Sequence, residues 1–291
     1  MISALANAGF LAVGLSAATT LVPVNQKGRA LAILLSGTTV AMIAGVPLGA
    51  LLGSALGWRS TFWVIALLCL PAAIGVLQGV GMEATRTEAD EAVPNLRVEL
   101  AQLASLRLLL AMVLGALING GTFSAFTFVA PVVTEAAGMT EVWVSVAVVL
   151  FGLGSFMGVT AAGRLADERS GLVLAVGGPL LLLGWTALAV LASHPGLLLA
   201  LVFGLGALAF SVGSTLIARV LYASHRAPTM GGSYATAALN VGAAGGPLLG
   251  AAALAVGSSV LSPVWVAVGL TSAALILLGF SSWHRWPGPW T

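Results

Sequence analysis

The sequence predicts an all-α polytopic membrane helix bundle, and three observations support this fold class. The chain of 291 residues is 59% hydrophobic and only 7% charged. Its mean hydropathy of +1.08 is far above that of a water-soluble domain. The apolar residues occur in runs of about 20 or more, long enough to cross a bilayer as helices. Polar turns separate the runs, so we expect about nine crossings of the membrane.

The predicted spans follow one another through short connections, with one exception. Residues 83–107 form a long hydrophilic stretch that carries five acids and three arginines, and we interpret it as a connector between two halves. Gly57-Trp-Arg-Ser60 and 163–171 are predicted to be a tight turn and a compact charged loop. The predicted spans comprise about residues 3–24, 30–56, 61–80, 108–133, 142–162, 172–192, 196–220, 232–256 and 264–282.

The second predicted span has small residues at every fourth position. On an α-helix this spacing forms one stripe without side-chain bulk, against which a neighbouring helix can pack closely. Pro47 lies in the same run and predicts a bend there. Helix packing alone is the plainer interpretation of such a stripe. Its members are Gly37, Ala41, Gly45, Gly49 and Gly53.

A second copy of this pattern favours a functional interpretation. Gly45-Val-Pro47-Leu-Gly49 is matched by Gly245-Gly-Pro247-Leu-Leu-Gly250, with glycine and proline displaced by the same 200 residues. The second copy lies six predicted spans further along the chain. Parallel repeats of six helices are one way in which transporters are built.

The basic residues predict the orientation of the chain in the membrane. If the loop holding Lys27 and Arg29 is cytoplasmic, ten of the eleven basic residues lie on that side and Arg59 alone lies outside. This bias matches the positive-inside rule and places the carboxyl terminus in the cytoplasm of a multi-pass plasma or inner membrane protein. The net charge of +2 therefore reflects topology, and we expect no nucleic-acid partner.

Three motifs carry a resemblance to a known family. Gly45-Val-Pro-Leu-Gly49 followed by Gly57-Trp-Arg-x-x-Phe-Trp63 resembles the fifth-helix signature and sixth-helix start of drug:proton antiporters in the major facilitator superfamily. Gly163-Arg-Leu-Ala-Asp167 resembles the charged loop between helices eight and nine. Residues 3–10 and the fifth-helix stretch are most similar to chloramphenicol-resistance and sugar-efflux permeases.

The resemblance implies a fold of the major facilitator type in which this chain corresponds to helices 4–12 of twelve. We therefore expect residues 1–81 to be a three-helix remnant of the amino-terminal half, 82–107 the cytoplasmic connector and 108–291 the carboxyl-terminal half. The first three helices are expected to be missing before Met1. The resemblance also implies that proton coupling and part of the drug site belong to the absent first helix.

The implied function is secondary active export of small amphipathic, chloramphenicol-like drugs in exchange for protons, by alternating access within the lipid bilayer. Two alternatives stay open. The shortened chain is a transport-inactive membrane remnant, or it exports sugars or other small polar metabolites.

The loop between the fifth and sixth spans is a candidate conformational latch. Opposite charges there would clamp helix ends together in one state and release them in another. Glu168 intervenes before the second arginine, which departs from the family pattern. Solvated loop charges are the alternative. The latch residues are Gly163, Arg164, Asp167 and Arg169.

A candidate substrate cavity is predicted from polar and aromatic residues inside the spans. Asn119 and Asn240 are intramembrane amides, which either line a cavity for an uncharged polar drug or bond neighbouring helices. Phe123, Phe126 and Phe128 would stack on an aromatic substrate, with lipid contact or core packing as the alternative.

The remaining polar residues suggest neither an enzyme nor a metal site. None of the nine acids lies in the middle of a span, and Glu135, at the outer end of the fourth, is the acid closest to the membrane. The helices contain no set of catalytic residues gathered at one interface. Cys69 has no cysteine partner, and the three histidines fall at loops or span ends. We expect no metal and no cofactor, and the sequence predicts no oligomeric state.

The repeated glycine motif generates a test. Replacing Gly45 and Gly49 by leucine in a complete, twelve-helix parent should abolish drug export, because the added bulk keeps the halves apart. Drug resistance of cells expressing the variant measures this, and unchanged resistance would reject the motif's role.

Overall fold

The computed structural model describes residues 9–15, 18, 22–23, 26, 29–31, 33–35, 37, 41, 45, 52, 56–79, 96–224, 227, 230–257 and 259–283. Within this part of the chain the regular secondary structure is helical, and no β-strand occurs. The predicted all-α class is confirmed. The physical reason is that helices satisfy every backbone polar group within one apolar segment.

Among the described residues from 56 to 283, seven α-helices of more than three residues follow one another. Three short helical turns accompany them. These are a 3₁₀ turn at Gln102–Ala104, an α-helical turn at Val129–Pro131 and a π-helical turn at Val132–Ala136. The helices are α1 Trp58–Gly79, α2 Leu96–Ala101, α3 Leu106–Thr127, α4 Val142–Leu191, α5 Pro195–Ala223, α6 Gly231–Val256 and α7 Ser262–Trp283.

Seven stretches within these helices are long and apolar enough to cross a membrane. They lie in α1, α3, α5, α6 and α7 and in two parts of α4, Val142–Gly163 and Ser170–Leu191. They correspond to the third to ninth predicted spans. The first two predicted spans lie largely outside the described residues.

Two predicted boundaries are wrong by a few residues. The turn predicted at 57–60 is confined to Gly57, whose φ of +82° suits a residue without a side chain. Helix α1 begins directly after it, at Trp58. The fourth predicted span ends as an α-helix at Thr127 rather than near residue 133, and short helical turns follow it.

The charged segment 163–171, predicted to be a loop, is helical. Its backbone belongs to α4, which we divide into a first arm, Val142–Gly163, and a second arm, Ser170–Leu191. Arginine, leucine, alanine and glutamate all favour helix, and the segment has no proline to stop it.

The chain nevertheless reverses direction between the two arms. Gly206 of α5 approaches the backbone of Phe151 and Ser155 in the first arm, while the adjacent Leu205 contacts Gly184 in the second arm. In one straight helix, residues 151 and 184 would be about 50 Å apart. The segment is therefore a helical corner, so the predicted reversal is retained although the predicted loop is not.

Helices α3 and α6 pack through glycine against glycine. A Cβ at Gly246 would overlap the Gly120 carbonyl, and one at Gly242 would lie 2.9 Å from the Gly120 nitrogen. Further along, a Cβ at Gly250 would lie 2.7 Å from the Ser124 hydroxyl oxygen. The contacts advance in the same direction on both helices, so α3 and α6 run parallel.

Gly245, which the sequence repeat identifies as a packing glycine, does not make this contact. No heavy atom of the described residues lies within 4 Å of a Cβ placed there. The adjacent Gly246 makes it instead. One residue turns an α-helix by about 100°, so a shift of one position moves the packing residue to another face.

A matched pair of leucine variants tests which of the two glycines packs against α3. Gly246→Leu should cost about 1–3 kcal/mol or more, because the side chain collides with the backbone of α3. Gly245→Leu adds the same volume beside open space and should leave the thermal midpoint nearly unchanged. Thermal unfolding of the purified proteins in detergent measures both, and equal midpoints would contradict the packing described here.

Candidate substrate site

The predicted cavity residues of α3 lie near one face of that helix. Asn119, Phe123 and Phe126 are spaced by four and three residues, which places them one above another on an α-helix. Helix α3 contacts α5, α6 and α7. Its central position among these helices explains why its polar and aromatic side chains meet several neighbours.

Asn119 bonds a neighbouring helix. Its side-chain nitrogen donates to the main-chain carbonyl of Leu239 in α6 over 2.7 Å. Such a short side chain reaches a backbone oxygen because the glycine contacts at Gly120 and Gly242 bring the two helices together. The geometry accords with helix-to-helix bonding, one of the two roles predicted for this amide.

Asn240, next to that acceptor, has a different environment. Its side chain is exposed, and it lies on a face of α6 that includes Val241, Leu248 and Leu249, all at least half exposed. The structure therefore does not place Asn119 and Asn240 in one enclosed cavity. It offers the Asn240 amide on an open apolar face.

The phenylalanines of α3 join an aromatic cluster that the sequence did not predict in full. Phe126 stacks on Phe151 of the first arm of α4, with ring centroids 4.5 Å apart and planes 27° apart. Phe151 meets Phe210 of α5 edge to face at 6.0 Å. Phe123 and Thr122 complete the walls of a narrow crevice between these helices.

The crevice is closed in this conformation. Its interior is too small to hold a water molecule, and the rings occupy it by contacting one another. A substrate ring would enter only after these phenylalanine rings move apart. Asn119 and Asn240 are absent from its walls.

A second concavity lies at the connection between the end of α3 and the start of α4. It is an open cleft of about 450 Å³, lined by residues of the π-helical turn and of the start of α4. Glu135, the acid predicted to lie closest to the membrane, and Glu141 both line it, and both are exposed. This placement matches a solvated carboxylate at a helix end.

Other predicted site residues are described only in part. Gly37 and Gly45 are exposed helical residues, and no heavy atom of the described residues lies within 4 Å of a Cβ placed on either. Pro47, Gly49 and Gly53 lie outside the described residues. Pro247 lies inside α6. The latch residues Gly163, Arg164, Asp167 and Arg169 lie in the helical corner, and the last three have side chains outside the description.

Within the described residues, no group of three histidine, cysteine or acidic side chains is arranged to hold a metal ion. Cys69 is an exposed free cysteine of α1. Near the two concavities the described residues offer hydroxyls and the exposed carboxylates of Glu135 and Glu141.

Comparisons with known proteins agree with this architecture. The family model described as Major Facilitator Superfamily matches residues 1–203. A "Chloramphenicol resistance protein" of Streptomyces lividans is 61% identical over 280 residues, covering 96% of this chain and 71% of the relative. An "Inner membrane transport protein YdhP" of Escherichia coli (strain K12) is 31% identical over 291 residues, covering 99% of this chain and 72% of the relative.

The two asparagines should respond differently to substitution. Asn119→Leu removes the bond to Leu239 and should cost about 0.6–2 kcal/mol of stability, the range for interhelical bonds in lipid. Asn240→Leu, at an exposed position, should change stability by less than about 0.5 kcal/mol. Thermal midpoints in detergent measure both, and a larger loss for Asn240→Leu would contradict the assignment.

Proposed function

The chain belongs to the major facilitator superfamily, and from that premise we propose that it exports small amphipathic drugs of the chloramphenicol class in exchange for protons. It is a multi-pass membrane transporter by family. The substrate class and the proton exchange are the parts that we propose.

The observation that carries the proposed substrate class is the extent of the similarity to the Streptomyces lividans relative, which is named for chloramphenicol resistance. The similarity covers nearly all of this chain, so it includes α3, α5 and α6, whose residues form the candidate site. Substrate choice in a transporter depends on the side chains that line its cavity.

The aromatic cluster supports an aromatic substrate. Phe123, Phe126, Phe151 and Phe210 present ring faces and edges between three helices. A bound aromatic ring would replace the contact between Phe126 and Phe151 with two similar contacts, which lowers the cost of opening the crevice. Chloramphenicol carries such a ring on a chain with amide and hydroxyl groups.

The exposed amide of Asn240, which lies outside the crevice walls, suits the polar part of such a substrate. It can donate to and accept from an amide or hydroxyl without introducing charge. We assign the substrate contact to Asn240, with Phe123 and Phe126 as aromatic contacts. Asn119, whose side-chain nitrogen bonds Leu239, positions the helices that carry them.

Transport would proceed by rocking of the two halves around a midplane cavity. In this scheme the glycine-proline segments at Gly45 and Gly245 lie where the halves approach each other and limit leakage. Asp167, with Arg164 or Arg169, would act at the helical corner of α4, where a change in pairing alters the angle between the two arms.

An export assay tests the proposal. Cells of a chloramphenicol-sensitive host expressing this chain should accumulate less labelled chloramphenicol than cells with empty vector, and a protonophore should restore accumulation. The Streptomyces lividans relative serves as the positive control for expression and assay.

The outcomes separate the alternatives. Accumulation equal to empty vector, with membrane insertion verified and the relative active, would reject drug export by this chain and favour the inactive remnant. Reduced accumulation that a protonophore leaves unchanged would reject proton exchange alone.

Phe126→Ala and Asn240→Ala test the assigned contacts within the same assay. Each should raise the KM for chloramphenicol export by about 10-fold, the effect of losing roughly 1.4 kcal/mol of binding free energy. Exposed Phe280 of α7 offers a control substitution of the same type, Phe280→Ala, and should leave the KM unchanged.

A further inference from the structure

The connector contains a buried carboxylate. Glu99, in the short helix α2, exposes only 3% of its surface, whereas the flanking Val98 and Leu100 expose 54% and 43%. Glutamate is rarely buried in proteins unless its oxygens have partners. The carboxyl group is buried while its apolar neighbours are exposed. This inverted pattern indicates that Glu99 attaches α2 to another part of the chain.

One such attachment is to the first turn of α6. The Oε2 atom of Glu99 accepts a hydrogen bond from the main-chain N–H of Met230 over 3.0 Å. The main-chain carbonyl of Glu99 accepts a second one from the Tyr234 hydroxyl over 2.8 Å. Both contacts join parts of the chain more than 130 residues apart in sequence.

The chemistry of a helix start suits this contact. Met230 is the residue that precedes the first helical residue of α6, and main-chain N–H groups there point toward the end of the helix. The helix dipole also places partial positive charge at this end, which stabilises a carboxylate. Tyr234, one turn further on, is itself buried.

We propose that Glu99 is a positioning residue that docks the connector on the start of α6, so that movement of the connector is transmitted to this helix. An undocked connector would only tether the two halves. A docked one transmits displacement to the helix that carries Asn240 and the glycines packed against α3. The proposal does not depend on which substrate the protein exports.

Limited trypsin digestion of the purified full chain in detergent tests the docking. The bond after Arg97 lies inside α2, so cleavage requires local opening of the docked segment. Glu99→Ala should accelerate cleavage at that bond by about 10-fold, and Tyr234→Phe should accelerate it by a smaller factor. Mass spectrometry of the fragments identifies the bond.

Glu99→Gln distinguishes docking from a general loss of structure. Its amide oxygen still accepts from Met230, so its cleavage rate should lie well below that of Glu99→Ala. Glu141→Ala, at an exposed glutamate far along the chain, is the matched control and should cleave like the parent. Gel filtration verifies that each variant is folded.

Three results would overturn the proposal. They are cleavage of folded Glu99→Ala at the parental rate, equal cleavage of Glu99→Gln and Glu99→Ala, and acceleration in Glu141→Ala. If Glu99→Ala does not fold, Tyr234→Phe decides, because it removes one hydroxyl and leaves the ring in place.

A transport readout tests the transmission of movement separately. In the export assay, Glu99→Ala should lower the maximum rate several-fold while the KM stays the same, and Glu99→Gln should restore most of the rate. A raised KM with an unchanged maximum rate would contradict a positioning role. If the chain exports no drug at all, the digestion experiment still decides whether Glu99 docks the connector.

Discussion

Close approach of helix backbones at glycine is the constraint on which the rest of the structure depends. Lipid is as apolar as the side chains of the spans, so hydrophobic burial does not hold these helices together. Contacts between helix surfaces that lack side-chain bulk hold them together instead. Gly246 against Gly120 joins α6 to α3, and Gly154 and Gly206 join the first arm of α4 to α5. At Gly246, Gly154 and Gly206 an added Cβ would overlap a neighbouring backbone.

The polar contacts between helices follow from this proximity. Asn119 reaches the Leu239 carbonyl, and the Ser124 hydroxyl donates to the Pro263 carbonyl of α7 over 3.0 Å. Both side chains are short, so both bonds require closely packed backbones. Other hydroxyls bond their own helix, as Thr122 does with the Ile118 carbonyl. These bonds satisfy the side-chain polar groups of Asn119, Ser124 and Thr122, which lipid cannot do.

Helix α6 connects the features of functional interest. The connector contacts its first turn through Glu99, Asn240 lies on its open face, and its glycines pack along α3, the helix that carries Phe123 and Phe126. Pro247 lies within the same helix. In the proposal made above, a displacement at one end of α6 would move the Asn240 amide and act on α3, because tight glycine contacts leave little room for independent movement.

The sequence by itself determined the fold class and the spans. Length and hydropathy are local properties, and the third to ninth predicted spans agree with the helices to within a few residues except at the end of α3. The tertiary structure decided which faces meet. A repeat of 200 residues identified Gly245, but Gly246 makes the contact, since one residue turns the helix by about 100°.

The aromatic cluster and the burial of Glu99 also depend on the tertiary structure. Phe151 and Phe210 lie on two different helices, and the packing of those helices brings them to Phe126 of α3. Glu99 is one of five acids in the hydrophilic stretch 83–107, and no local pattern distinguishes it from the others. Its burial depends on partners more than 130 residues away. Local physics determines where this chain is helical, and long-range contacts determine what each helix face does.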